Sequence, residues 1–210
     1  LSFYGRPLFY YSLYSFKQVD EVDSIYLVVS KEMLEEAQLY KKKYFKNINK
    51  FKDIIVGGDE RMHSVFNALN SIRKDTEYVA LHDAARPFIK PELIRTIFYE
   101  AVKRDAAVCG IPVIDTIKML NHNGFIETHL KREELIAIQT PQIFNYNKLY
   151  DNYKNAIAKD VVYTDDTEIF ALSGDKISIV KGDKDLFKIT YKDDIKIAKS
   201  IYQRIKNIWK

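Results

Sequence analysis

One cysteine in 210 residues, Cys109, leaves an internal disulfide nothing to pair with. With no signal-peptide pattern at the start either, a reducing, cytoplasmic setting is expected. Long apolar runs are missing too: none approaches the roughly 20 residues of a membrane-spanning helix. A strong excess of one charge is also absent, because 33 lysines and arginines face 29 acids. The net +4 is dispersed along the chain, which argues against a nucleic-acid partner and leaves a small anionic ligand open. No repeat, low-complexity tract or interdomain linker breaks the sequence. No G-x-G-x-x-G follows an apolar run, which weighs against a dinucleotide-dependent oxidoreductase. An initiator methionine is lacking as well: the chain opens Leu1-Ser2-Phe3, and further chain upstream is expected.

What is present fits a single domain over residues 1–210 with a full hydrophobic core. Apolar residues from Pro7 to Val19 predict a helix opened by proline in its first turn. Ile25–Val29 is a β-branched strand, 31–45 a charged surface helix, and Ile54–Val56 a short strand ending in Gly57-Gly58. Val65, Leu69 and Ile72 mark one face of the next helix, with Asp59 as a candidate cap. Tyr78–His82 and Ala107–Val113 read as buried strands separated by a helix over Pro91–Arg104. Helices near 147–158 and 165–173, a strand at Ile177–Val180 and an amphipathic helix from Lys192 complete the chain. Strands that alternate with helices and are continuously apolar predict a Rossmann-like α/β fold, its mostly parallel sheet covered by helices on both faces.

Residues 115–141 break that rhythm. Thr116–Leu120 and Phe125–Leu130 flank Asn121-His122-Asn123-Gly124, whose Asn-Gly pair is a strong hairpin signal. Two strands alone are marginal in water, so this apolar β-arm needs a surface to cover, and a second copy of the chain supplies one. A protruding dimerisation arm and a homodimer are expected.

In open α/β sheets ligands bind beyond the carboxyl ends of the strands. Gly57-Gly58-Asp59-Glu60-Arg61, His82-Asp83-Ala84-Ala85-Arg86 and Asp115-Thr116 all fall there. Each has a structural alternative. Gly57-Gly58 serves equally as a tight turn, and Asp83 as a turn cap or as a ligand or metal contact. His82 reads as a structural histidine, Cys109 as a core residue, and Thr164-Asp165-Asp166 as a helix start. Lys188, between Phe187 and Ile189, is either a partly buried stem or an anion contact.

Six stretches in order, "GGDERMHSVFNAL" (57–69), "HDAARP" (82–87), "PVIDTIK" (112–118), "QTPQIF" (139–144), "TDD" (164–166) and "KIT" (188–190), resemble the 2-C-methyl-D-erythritol 4-phosphate cytidylyltransferase family of the non-mevalonate isoprenoid pathway. The resemblance spans essentially the whole chain. It implies transfer of a cytidylyl group from CTP to methylerythritol phosphate with Mg²⁺, and it implies a homodimer. Gly58, Asp59 and Ser64 would surround the cytosine and Arg61 would hold that loop. Asp83 would sit beside the ribose and the Mg²⁺-bound phosphates, as a candidate metal contact, and Lys188 would supply catalytic charge. Arg86, Thr140 and Thr164 would line the phosphosugar pocket, with Thr116 and Arg132 reaching it from the neighbouring subunit. Leu186 departs from the asparagine of many relatives. The family's N-terminal strand and glycine-rich triphosphate loop would precede Leu1. A ribitol 5-phosphate cytidylyltransferase is the sibling alternative, and a non-catalytic nucleotide-binding protein the alternative from another class.

Overall fold

A computed structural model describes residues 2–159 and 161–209; the chain start at Leu1 lies outside them. Two short antiparallel segments, β1 (Ser2–Phe3) and β2 (Arg6–Pro7), precede helix α1 (Phe9–Lys17). Pro7 therefore pairs with Ser2 rather than opening the helix. The parallel pair β3 (Ile25–Val29) and β4 (Phe51–Val56) flanks α2 (Leu34–Tyr44). Then follow α3 (Arg61–Ser71), β5 (Tyr78–Leu81), α4 (Pro91–Arg104) and β6 (Ala106–Pro112). Proline at the first position of α4 suits a helix start, where its missing N–H costs nothing. Asp105, with φ of 67°, turns the chain directly into β6.

The hairpin β7 (Lys118–Leu120) and β8 (Ile126–His129) forms where expected. The Asn121 side chain accepts the N–H groups of Asn123 and Phe125, and Gly124 adopts the positive φ that the turn needs. The chain then enters β9 (Ile136–Asn145), α5 (Tyr146–Ala158), α6 (Asp166–Phe170), β10 (Ser178–Lys181) and α7 (Asp194–Ile205).

The central sheet has the order β10-β6-β9-β5. Here the expectation of a mostly parallel sheet needs correction: β10 and β6 are parallel, but β9 runs antiparallel to both β6 and β5. The sheet is mixed because the segment after the arm returns as a long inner strand. The β3–β4 pair is a separate small sheet.

Alternate residues of β6 face opposite sides. Ala107 and Cys109 pack in a cluster with apolar residues of α1, α4 and α7, whereas Ala106 and Val108 join a second cluster with α3, α5 and α6. Helices thus cover both faces, and the buried Cys109 is a core residue as expected. Among the described residues, no helix is long and apolar enough to cross a membrane. Since β5, β6 and β10 point the same way, their carboxyl ends share one edge of the sheet, joined there by the first half of β9.

Candidate active site

At that edge β5 ends and Asp83 begins a turn closed by the Arg86 N–H donating to the Asp83 carbonyl at 2.9 Å. Lys188 Nζ lies 3.1 Å from Asp83 Oδ2. Burial of Asp83 pushes its pKa up, but the Lys188 hydrogen bond and charge, with lesser help from Arg61 and His82, bring it below the usual carboxylate range. The Asp83 carboxylate is therefore ionised at neutral pH. The Lys188 side chain is half exposed and Asp83 only 21% exposed, so the ammonium faces solvent while the carboxylate backs it from the sheet.

Arg86 sits beside them and is 13% exposed, its Nε 3.7 Å from the same Oδ2. Its NH1 donates to the Leu186 carbonyl at 2.8 Å. The guanidinium is thus bound to the protein's own backbone, and it links the Asp83 turn to the segment carrying Lys188. The departure at Leu186 falls into place here: its side chain is buried in the core, and the group that positions Lys188 is its backbone carbonyl.

Thr140 and His82 hold Asp83 from behind. The Asp83 N–H donates to Thr140 Oγ1 at 3.0 Å, and Thr140 Oγ1 lies 3.2 Å from His82 Nδ1. His82 Nε2 is 3.0 Å from the Arg86 carbonyl oxygen, which can only accept. Nε2 therefore carries the proton, Nδ1 accepts from the Thr140 hydroxyl, and the hydroxyl oxygen is left to accept the Asp83 amide. Burial lowers the His82 pKa to about 4, so the ring stays neutral. The structural reading of His82 stands, and the structure adds its partners.

The loop after β4 folds on itself. Ser64 Oγ accepts the Gly58 N–H at 3.0 Å and lies 3.2 Å from the Gly58 carbonyl. A Cβ at Gly57 would meet Ser64 Oγ at 2.5 Å, so a side chain there would push Ser64 away from its Gly58 partner. Asp59 does not cap α3: Glu60 occupies that position without a side-chain hydrogen bond, and Asp59 is exposed. Arg61, the first residue of α3, forks onto the fully buried Asp166 at 2.9 and 2.5 Å, and Tyr153 donates its hydroxyl to the same carboxylate. Asp165 caps α6 by accepting the Thr167 N–H at 2.7 Å, which leaves Thr164 exposed just ahead of it. The clamp of Arg61, Asp166 and Tyr153 thereby joins the Gly58 loop to the Thr164 loop.

Thr116 and Arg132 stand apart from this cluster. Both are exposed on or beside the arm, and Arg132 NH1 donates to the Ile114 carbonyl at 2.9 Å. Within one chain the structure brings together Asp83, Arg86, Thr140 and Lys188, and links Gly58, Ser64, Arg61 and Thr164 through hydrogen-bonded loops. Asp166, read from "TDD" as part of a helix start, and Tyr153, which no motif covers, are additions to the site.

A half-exposed ammonium locked to a strand-end carboxylate, near a self-bonded glycine turn, is equipment for handling phosphates by charge and position. An α/β fold bearing such a site at its carboxyl edge fits the nucleotidyltransferase class. A sequence model of the 2-C-methyl-D-erythritol 4-phosphate cytidylyltransferase family matches residues 1–204, and the chain belongs to that family. The enzyme of that name from Clostridium novyi is 37% identical over 203 residues, covering 96% of this chain and 87% of the relative. The one from Clostridium kluyveri is 38% identical over 205 residues, covering 97% and 87%. Among solved structures, 4-diphosphocytidyl-2C-methyl-D-erythritol synthase from Anaerococcus prevotii superposes with a TM-score of 0.86 at 27% identity, covering 97% of this chain and 88% of that one.

Proposed function

We propose that the family's reaction takes place at the Asp83–Lys188 edge. The enzyme transfers the cytidylyl group of CTP to 2-C-methyl-D-erythritol 4-phosphate, giving 4-diphosphocytidyl-2-C-methyl-D-erythritol and pyrophosphate. The observation that carries the placement is the 3.1 Å contact between Lys188 Nζ and Asp83 Oδ2.

In this reading a phosphate oxygen of the sugar attacks the α-phosphorus of CTP while pyrophosphate departs from the opposite side. The attacking phosphate is already ionised, so no general base is needed, and His82, held neutral in the turn, is not one. The barrier lies in bringing anions together, which makes positioning and charge the main sources of catalysis. Lys188 swings its exposed ammonium from Asp83 onto the α-phosphate. Gly58, Asp59 and Ser64 contact the cytosine, whose donor and acceptor edge suits the polar groups of this loop. Arg61 holds their loop through Asp166. Thr164 faces the phosphosugar, while Thr140 and Arg86 act on it through the Asp83 turn they hold.

The residues fit a cation that arrives with the triphosphate. No group of three or more His, Cys, Asp or Glu among the described residues is arranged to bind a metal, and Asp83 offers one carboxylate, the usual protein share for Mg²⁺ bound mainly by phosphates and water. Bound there, Mg²⁺ would neutralise charge on the phosphates.

The arm supports a homodimer. Ile114, Met119, Leu120, Phe125 and Ile126 are all at least half exposed, with Phe125 at 70%, and two strands do not keep such a surface in water unaided. A second subunit covering it would bring Thr116 and Arg132 to the phosphosugar. The same reading includes an additional N-terminal strand and glycine-rich loop gripping the triphosphate: β3 pairs only with β4 and β5 only with β9 among the described residues, which leaves each an unpaired edge. The free Cys109 accords with work in a reducing cytoplasm.

The deciding experiment supplies CTP and Mg²⁺ with either methylerythritol phosphate or ribitol 5-phosphate and follows pyrophosphate release. Turnover with methylerythritol phosphate alone is expected. Preference for ribitol 5-phosphate would reassign the substrate, and no turnover with either would favour a binding protein.

A further inference from the structure

We propose that Gln139 is a positioning residue for cytidylyl transfer, fixing the segment that presents Lys188; the proposal rests on Lys188 being the catalytic cation. Lys188 lies between β10 and α7, in a stretch without regular structure from Gly182 to Thr190. A long, half-exposed side chain on such a segment holds its place only if the backbone beneath it is held.

Ladder pairing of β10 with β6 ends at Lys181 opposite Gly110. Beyond it the Gln139 side chain takes over the role of a strand. Its Oε1 accepts the Asp183 N–H at 3.1 Å, and its Nε2 donates to the Asp183 carbonyl at 2.9 Å and the Leu186 carbonyl at 3.2 Å. The amide, 3% exposed, thus uses both its hydrogens and its oxygen on this one segment. Arg86 donates to the same Leu186 carbonyl, and the Ile189 N–H donates to the Ala85 carbonyl at 2.9 Å. Lys188 is therefore bracketed by one anchored residue on each side.

Two features show that the local backbone accommodates this arrangement. The β6–β9 register shifts between Val108 and Cys109, so Thr140 and Pro141 have no partner on β6, and such bulges re-aim neighbouring side chains. Gly182 leaves the space: a Cβ there would lie 2.2 Å from Gln139 Oε1 and 3.0 Å from the Gly110 carbonyl. Leu186 and Ile189 are buried in the core, so the segment stays folded by packing while the amide sets its register. Neither glutamate nor leucine supplies a donor pair and an acceptor together.

The test compares Gln139→Leu, Gly182→Ala and Lys188→Ala with the full wild-type chain, reading amide hydrogen exchange at Asp183 and Ile189 and steady-state kinetics with CTP, methylerythritol phosphate and Mg²⁺. Gln139→Leu should speed exchange at Asp183 and lower kcat by about tenfold to a hundredfold with little change in KM for CTP, as small misplacement of a catalytic group does. Gly182→Ala, which displaces the amide while keeping it, should do the same if Gln139→Leu folds poorly. Adding Gln139→Leu to Lys188→Ala should cost no further turnover. Unchanged Asp183 exchange, unchanged kcat in both variants, or a fully additive double variant would overturn the proposal. Normal turnover in Lys188→Ala alone would overturn the reading beneath it, whereas the exchange data judge the clamp independently.

Discussion

Arg61 and Asp166 meet through two parallel hydrogen bonds of 2.9 and 2.5 Å, with the carboxylate fully buried and the guanidinium partly in solvent. The pair connects the first turn of α3 to the first turn of α6, so the Gly58 loop and the Thr164 loop share one anchor. Asp166→Asn should destabilise the fold by about 2–3 kcal/mol. That is below the about 3–5 kcal/mol typical of a broken buried pair, because Arg61 can turn to water. The Tyr153 hydroxyl keeps an acceptor in the asparagine, so Asp166→Ala should cost more. Urea midpoints at matched slope give the measurement, and equal midpoints for wild type and both variants would show that the clamp contributes nothing.

Lys188→Ala should lower kcat at least a hundredfold while leaving the thermal midpoint nearly unchanged. A single well-placed transition-state donor contributes about 3–4 kcal/mol, and a half-exposed ammonium contributes little to folding. Without it Asp83 loses the strongest influence lowering its pKa and keeps the lesser help of Arg61 and His82, so its carboxylate should titrate at a higher pH than in the wild type. Pyrophosphate release gives the rate. Near-normal turnover would remove Lys188 from the reaction.

The inner strand β9 explains what the sequence could and could not reveal. Runs such as Tyr78–Leu81 and Ala107–Ile111 are apolar and read at once as strands. Gln139, Thr140, Pro141 and Gln142 interrupt β9 with polar groups and a proline, so periodicity missed it and the sheet looked mostly parallel. These polar residues are buried because each reaches a different loop: Gln139 to Asp183, Thr140 to Asp83, and Gln142 Nε2 to Asp165 at 3.1 Å. The pairing of Asp83 with Lys188 had no signature in spacing either, since a contact between segments so far apart depends on the sheet order. Motif resemblance named both residues, and packing supplied the relation between them.

His82 gives the fold a pH dependence with a definite sign. Its pKa is lowered from 6.5 to about 4, because burial disfavours the charged ring. The folded protein therefore binds fewer protons than the unfolded chain between these values. Its contribution is complete above pH 6.5 and is lost as the pH falls towards 4, by at most about 3 kcal/mol. Asp83, also depressed, loses its contribution only below the carboxylate value of 3.8, so the two windows separate. His82→Phe keeps an aromatic ring against Phe16, whose centroid lies 5.3 Å away, but removes both hydrogen bonds. It should lower stability at pH 7.5 and flatten the slope of unfolding free energy between pH 6.5 and 4. An unaltered slope would assign that window to other groups.

A shared site across two subunits makes a prediction that no single-chain arrangement shares. Thr116 and Arg132 lie beside the exposed apolar arm, and among the described residues of one chain Arg132 is occupied with the Ile114 carbonyl. If the arm of one copy completes the site of the other, an Arg132→Ala chain and a Lys188→Ala chain are each defective in both sites of their own homodimer. In a mixed dimer one site receives both defects and the other neither. Co-refolding equal amounts of the two inactive variants should therefore restore about a quarter of wild-type activity, since half the dimers are mixed and each carries one intact site. Verified mixed dimers without recovered activity would place Arg132 in the site of its own chain or outside the reaction.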